Sequence, residues 1–141
     1  EHETVAISAQ ERCRSDKYAT NKTIEMIDVL WLKGNAIVSA FEIESTTSIY
    51  SGLLRMADLI SMQPNLSIPL YIVAPEDRRE KVFAEVNRPT FAHLHPPMSE
   101  MCQFVGFDAL REKLKQVAAF VTYLKAEFLN EIAETCELED P

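Results

Sequence analysis

The chain has 141 residues, of which 47% are hydrophobic and 26% are charged, and its formal net charge is -8. This length and composition are those of one globular domain, large enough to bury a core. No uninterrupted apolar stretch reaches the roughly 18 residues of a membrane span, and the N-terminus lacks the basic and apolar regions of a secretion signal. The acidic balance argues against a broad electrostatic surface for nucleic acid.

The cysteines and the first residue bear on compartment and completeness. Cys13, Cys102 and Cys136 are odd in number and far apart, which fits neither a disulfide framework nor a zinc site. We therefore expect three reduced thiols in a cytoplasmic protein. The chain begins with Glu1 rather than Met, and we expect it to be a fragment of a longer protein with further domains N-terminal to it.

The first half of the chain predicts a β-hairpin followed by a helix. Residues 1–22 are polar and weakly patterned, and they predict a short helix or an extended lead-in segment. Two β-rich runs follow, at residues 27–32 and 36–43, separated by the turn signal KGN. Residues 45–48, STTS, are good N-cap residues, and the apolar spacing behind them predicts a helix that ends near Met62.

The second half alternates strands with helices. Residues 68–75, IPLYIVAP, form a continuous apolar run typical of a strand buried on both faces. Residues 76–87 predict a helix with acids at its start, and residues 101–107 predict a short strand. Apolar positions alternating four and three apart predict one long C-terminal helix over residues 108–135. This order indicates a single α/β domain, a mixed β-sheet flanked by helices.

Three acids, Asp28, Glu42 and Glu44, lie at the ends of the two β-rich runs. Glu42 and Glu44 share one face because strand side chains alternate, while Ile43 and Phe41 are expected to point into the core. Whether Asp28 joins the glutamates depends on the hairpin register. A three-residue loop, LKG or KGN, places Asp28 on their face, and a two-residue turn pairs it with Phe41 on the other. We favour the shared face.

Three gathered carboxylates raise one another's pKa unless a cation lies among them. A hard divalent ion such as Mg²⁺, which prefers oxygen ligands, would neutralise them. The alternative is that the acids lie in water at the strand ends, paired with Lys22, Lys33 or Arg55.

The segment IDVLWL…AFEIESTTSIYSGLLRMADL resembles the PD-(D/E)XK restriction-endonuclease-like superfamily, whose members place an acid at the head of one strand and an acid-x-Lys signature on the next. The stretch from Asp28 through LYIVAPEDRREKVFAEVNRPTF is similar to the C-terminal part of longer bacterial restriction-type proteins. The likeness covers roughly residues 23–112. It implies a restriction-endonuclease-like core and a DNA endonuclease of restriction or defence type that depends on Mg²⁺ or Mn²⁺.

The resemblance also implies roles for individual residues. Asp28 and Glu42 would be the two metal-binding acids, and the backbone carbonyl of Ile43 would be a further ligand. Glu44 stands where most members have lysine, and it would orient or deprotonate the attacking water. This departure keeps open a catalytically inactive module of the same fold, with a binding, regulatory or self-association role.

DNA contacts are expected beside these acids. Thr46, Thr47 and Ser48 would offer hydroxyls and amide donors to a phosphate at a helix N-terminus, although plain capping explains them too. Arg55, two turns into the helix, would reach a phosphate or lie as a solvated charge.

The sequence further predicts a homodimer, because a two-fold axis would match the symmetry of DNA. The predicted contact is the C-terminal helix near Val121, Leu124 and Phe128. If the site is active, Glu42→Ala is expected to abolish cleavage. The fold is expected to stay intact, because a strand-end carboxylate does little for a core. Glu44→Lys is expected to retain or alter metal dependence rather than to unfold the protein.

Overall fold

The computed structural model describes residues 4–8, 26–44, 48–62, 67–117 and 126–138. Within these ranges six strands form one sheet in the order β1-β2-β3-β4-β5-β6. The pairs β3-β4 and β4-β5 are parallel and the others antiparallel. The strands are Thr4–Ser8 (β1), Val29–Lys33 (β2), Ala36–Ile43 (β3), Leu70–Ala74 (β4), Cys102–Gly106 (β5) and Ala133–Thr135 (β6).

Helices flank this sheet, which confirms the predicted α/β fold with a mixed sheet. They are Ile49–Met62 (α1), Arg79–Val86 (α2), Pro89–Ala92 (α3), Met98–Met101 (α4) and Phe107–Val117 (α5), with 3₁₀ turns at Glu76–Arg78 and Ala126–Glu131. Helix α1 ends at Met62, as the sequence predicts. In the described part of the chain, no helix is both long and apolar enough to cross a membrane.

The core has two parts. The larger cluster contains buried residues of α1 and α2, such as Leu53, Met56 and Val82, together with Leu70 and Ile72 of β4. The smaller cluster contains the rings of Trp31, Phe41 and Tyr71 with Val105 and Leu129. In it, Phe41 lies 4.8 Å from Trp31 and 4.9 Å from Tyr71 between ring centroids. The strand β4 is buried along its whole length, because apolar side chains cover both of its faces.

The β2-β3 hairpin places Asp28 on the predicted face, but with a different turn length and register from those expected. Lys33 pairs with Ala36, so the turn has two residues rather than the three that we favoured. Gly34 has a φ of 62°, which glycine adopts readily at the first central position of such a turn. A bulge then shifts the register, since Leu32 pairs with Ile37 but Trp31 pairs with Ser39. The shift cancels the effect of the shorter turn.

The bulge also changes which residues of β3 are buried. Ile37 packs against the larger cluster and Val38 against the smaller one. At the end of the strand, Ile43 is 44% exposed, while Glu42 and Glu44 are fully buried. The expectation that Ile43 points into the core is therefore wrong, because α1 covers the face of the glutamates.

Both ends of the chain add strands to the sheet that the sequence did not predict. Part of the lead-in segment, Thr4–Ser8, pairs along β2 as an edge strand. The predicted long helix over residues 108–135 is wrong in its second part. The described part of helix α5 runs to Val117, and after residues outside the described range the chain forms the second 3₁₀ turn and β6.

The C-terminal strand covers an edge of the sheet and brings two cysteines together. β6 pairs with β5, which brings Cys136 beside Cys102, and both thiols are fully buried. The hydrogen bond to Cys136, with burial, raises the pKa of Cys102. A helix continued to residue 135 would leave the β5 edge uncovered.

Glu76 connects the end of β4 to the start of α5. Its Oε1 accepts the backbone N–H groups of Asp108 at 2.7 Å and Ala109 at 3.1 Å, so it caps a helix from outside that helix. Burial would raise the pKa of Glu76, but these N–H bonds lower it below its usual value. Gly106 permits this cap, because a Cβ there would overlap Glu76 Oε1.

We expect Gly106→Ala to lower the free energy of unfolding by about 1 kcal/mol, the usual cost of a lost cap. The new methyl group would push the Glu76 carboxylate away from the helix. Urea unfolding measures the change. In a Glu76→Ala background, where the cap is already lost, Gly106→Ala should cost clearly less; equal costs in both backgrounds would contradict this explanation.

Candidate active site

The bulge in β3 brings Asp28 to the end of that strand. Val29 pairs with Phe41, and continuing this register by one residue places Asp28 opposite Glu42. Asp28 also contacts the next residue of β3, since its Oδ2 accepts the backbone N–H of Ile43 at 2.8 Å. Asp28 and Glu42 are therefore brought together, as the sequence predicts.

Glu42 is fully buried and is held by Arg55 of α1. The Arg55 Nε donates to Glu42 Oε1 at 2.9 Å, and Nη2 donates to Oε2 at 2.7 Å. This two-pronged geometry is the strongest that a guanidinium makes with a carboxylate. The Arg55 side chain remains 22% exposed while that of Glu42 has no exposed surface, so the guanidinium lies on the solvent side of the pair.

Charge in the cluster is shared among four groups. Burial raises the pKa of Glu42 to about 7; the Arg55 bonds and charge oppose this rise, and Asp28 adds to it. The pKa of Arg55 is raised, first by its hydrogen bond to Glu42 and also by the charges of Asp28 and Glu44. Arg55 is thus a cation of the cluster. Pairing with Arg55 was part of the alternative that the sequence left open, but that alternative placed the acids in water, whereas Glu42 and Glu44 are buried.

Glu44 follows β3 directly and is also fully buried. Its backbone N–H donates to the carbonyl of Val73 at 2.8 Å, which extends the pairing between β3 and β4. Helix α1 lies close to both glutamates at Gly52. A Cβ placed there would be 2.7 Å from Glu44 Oε1 and 3.2 Å from Glu42 Cβ. Only a residue without a side chain lets the helix approach the acids so closely.

We expect Gly52→Ala to lower the free energy of unfolding by about 1 to 2 kcal/mol, although alanine favours a helix more than glycine does. The methyl group would push Glu44 and Glu42 from their present positions. Thermal or urea unfolding measures this effect, with Asp58→Ala on the exposed side of α1 as the matched control. A stabilised Gly52→Ala variant would show that the helix can move away.

The predicted DNA-contacting residues are only partly described. Thr46 and Thr47 lie outside the described residues, so their predicted phosphate contact remains a prediction. The backbone carbonyl of Ser48 accepts the N–H groups of Ser51 at 3.0 Å and Gly52 at 3.4 Å, so it begins α1. Arg55 points to Glu42 rather than outward as a solvated charge.

The role of Gly52 was missed from the sequence. A signal was present, since Gly52 and Arg55 are three residues apart and therefore share one face of the helix. In the sequence, the helix with that face comes next after the strand that carries the acids. A glycine on that face allows the helix to approach the carboxylates closely, and an arginine there can pair with one of them.

The donors suit a hard divalent ion in chemistry but not in placement. Carboxylate and carbonyl oxygens are the ligands that Mg²⁺ prefers. Both Glu42 oxygens, however, accept hydrogen bonds from Arg55. Among the described residues, no three acidic, histidine or cysteine side chains are placed to hold one metal ion. As arranged, Arg55 occupies the Glu42 oxygens that such an ion would use, and the predicted metal site stays a prediction.

Comparison with known proteins assigns the family. The family model described as "Type II restriction enzyme NmeDI C-terminal domain" matches residues 1–136. The type II restriction enzyme NmeDI of Neisseria meningitidis serogroup C is 33% identical over 115 residues, which are 78% of this chain and 31% of that enzyme. The chain thus spans about a third of the relative's length. No solved structure matches. From the family match over nearly its whole length, the chain belongs to the family of the C-terminal domain of the type II restriction enzyme NmeDI.

Proposed function

We propose that this chain is the nuclease domain of a restriction-type DNA endonuclease and hydrolyses phosphodiester bonds. The observation that carries the proposal is the convergence of Asp28, Glu42 and Glu44 at the end of β3. The family match supports it, because the matched relative is named as a type II restriction enzyme. DNA is the proposed substrate.

The site lies where α/β proteins commonly bind ligands. β3 and β4 are parallel, and Glu44 marks the carboxyl end of β3. In open α/β sheets, ligands bind beyond the carboxyl ends of such strands. The proposed roles follow the PD-(D/E)XK resemblance, with Asp28 and Glu42 as the two acids and Glu44 as the group that orients the attacking water. Dependence on Mg²⁺ or Mn²⁺, with Ile43 as a carbonyl ligand, is part of the same proposal.

A homodimer also belongs to this proposal, since a nuclease that cuts both strands of a duplex is most simply two-fold symmetric. Domains N-terminal to the present chain are part of the same proposal. The predicted contact near Val121 and Leu124 lies outside the described residues. The Phe128 backbone lies in a 3₁₀ turn rather than in a long helix. Sedimentation of the protein at micromolar concentration tests the homodimer.

A second candidate function is a catalytically inactive member of the same family that binds DNA or another partner. The specific observation in its favour is the Arg55–Glu42 ion pair, together with the complete burial of Glu42 and Glu44. An active hydrolase has to admit water and a phosphate to these acids, whereas a binding module does not.

Plasmid cleavage by the full-length protein in Mn²⁺ or Mg²⁺ tests the proposal. We expect the wild type to cut DNA and Glu42→Gln to be slower by about 100-fold or more, the usual effect of losing a group that acts on the reacting atoms. Glu85→Gln is the matched control, because Glu85 also accepts a hydrogen bond from an arginine, Arg88, at 3.0 Å. Equal cleavage by wild type and Glu42→Gln would overturn these roles. Binding of DNA without cleavage would support the second function.

A further inference from the structure

The carboxylate cluster contains its own cation. A divalent ion that used Glu42 would need at least one of the two oxygens that now accept hydrogen bonds from Arg55. The guanidinium and a metal ion are both positive and seek the same atoms. They cannot share Glu42 without strong repulsion, because charges a few ångströms apart in a buried site interact strongly.

We infer that Arg55 and a divalent cation exclude each other at Glu42, so that the site is closed to metal until Arg55 leaves. This inference rests on the proposed function, because it concerns the metal which that function calls for. It makes Arg55 a positioning residue whose departure precedes metal binding.

The geometry allows such a departure. Arg55 is the solvent-facing member of the pair, with 22% of its side chain exposed. Arg55 is only partly buried, whereas its neighbours on α1, Met56 and Leu59, are fully buried in the core. The guanidinium can therefore rotate toward water without moving the helix. Glu42, which has no exposed surface, would lose its guanidinium partner by that rotation.

The close approach of α1 explains why the acids depend on a cation. Gly52 brings the helix against Glu42 and Glu44, and this packing removes water that would otherwise stabilise their charge. When Arg55 leaves, the buried acids lose the cation that faces them, and another cation can take its place.

Metal binding without DNA tests the inference separately from cleavage. Mn²⁺ affinity is measured by calorimetry on the full chain, for wild type, Arg55→Gln, Arg55→Lys and Arg88→Gln. We expect Arg55→Gln to bind Mn²⁺ at least about tenfold more tightly than wild type, because one nearby positive charge is lost. Arg55→Lys keeps the charge and should stay near wild type. Arg88→Gln, which breaks an ion pair on another part of the surface, should match wild type.

Equal or weaker Mn²⁺ binding by Arg55→Gln overturns the inference, whatever the plasmid assay gives. Failure of the wild type to cut DNA would instead overturn the proposed function, and tighter metal binding by Arg55→Gln would still stand beside it. The two failures are therefore distinguishable.

A measurement on the wild type covers the case in which Arg55→Gln does not fold. Nuclear magnetic resonance follows the Nε–H signals of arginine during titration with Mg²⁺. We expect the Arg55 signal to move as its bond to Glu42 breaks. The Nε–H of Arg79, which donates to Glu134 at 2.8 Å, is the internal control and should stay in place. An unchanged Arg55 signal while the backbone amides of Asp28 and Ile43 respond to Mg²⁺ would overturn the inference.

Discussion

Glu42→Ala is expected to lose DNA cleavage and also to lower the free energy of unfolding by about 2 to 3 kcal/mol. Glu42 is fully buried and accepts both hydrogen bonds of the Arg55 fork. Removing one partner of a buried ion pair typically costs about 3 to 5 kcal/mol. The lower value applies here because Arg55 is partly exposed and can turn to water. The prediction from sequence that this variant leaves the fold intact stays a prediction, and this loss of stability is added to it.

Glu42→Gln separates the two effects. Glutamine has the same shape and can still accept one hydrogen bond from Arg55, so we expect a cost of about 1 kcal/mol, with cleavage still lost. Urea unfolding and the plasmid assay are measured on both variants. Unchanged stability of Glu42→Ala would mean that the ion pair contributes nothing net, which is known for some buried pairs replaced by apolar groups.

Most elements of the fold follow from local patterns that the core enforces. The run at residues 68–75 became the fully buried β4, because a strand covered on both faces has to be apolar throughout. Helix α1 follows from apolar side chains at helical spacing, and it ends at Met62. These predictions succeed because each depends on residues close together in the sequence.

The register of the β2-β3 hairpin could not be predicted from residues close together in the sequence. The turn chemistry of Gly34 is local and allows a turn of two or three residues, but a bulge beside Trp31 and Leu32 also shifts the register. No single residue type predicts that bulge, since it satisfies packing on two faces of the sheet at once. Asp28 thus reached the predicted face although the predicted loop length was wrong.

The sequence predicted which acids lie together in the candidate site, but not the buried environment that sets their charge. The acid positions follow from strand alternation, whereas the burial of Glu42 and Glu44 depends on how closely α1 packs. That distance is set by Gly52, ten residues after Glu42. The C-terminal strand is missed for a similar reason, because Cys136 meets Cys102 only in the folded sheet.

Glu44→Lys restores the acid-x-lysine order that is usual in the PD-(D/E)XK superfamily, yet we expect it to lower the free energy of unfolding by about 2 to 4 kcal/mol. Glu44 is fully buried, and its charge favours the charged form of Arg55. A lysine would place an ammonium group near the guanidinium and a longer side chain near Gly52. Glu44→Gln, which removes the carboxylate without adding a positive charge, should cost less.

Adding Arg55→Gln to Glu44→Lys gives a sharper test. The second change removes the repulsion and frees Glu42 to pair with the introduced ammonium group in place of the guanidinium. We expect the double variant to be more stable than the sum of the single effects by about 0.5 to 3 kcal/mol, the range for residues in one hydrogen-bond or salt-bridge network. Urea unfolding of the four proteins in this cycle measures the coupling. Simple additivity would show that the lysine introduced at position 44 does not compete with Arg55 for Glu42. The usual lysine of the superfamily and Arg55 of this chain would then not be alternative cations for one carboxylate.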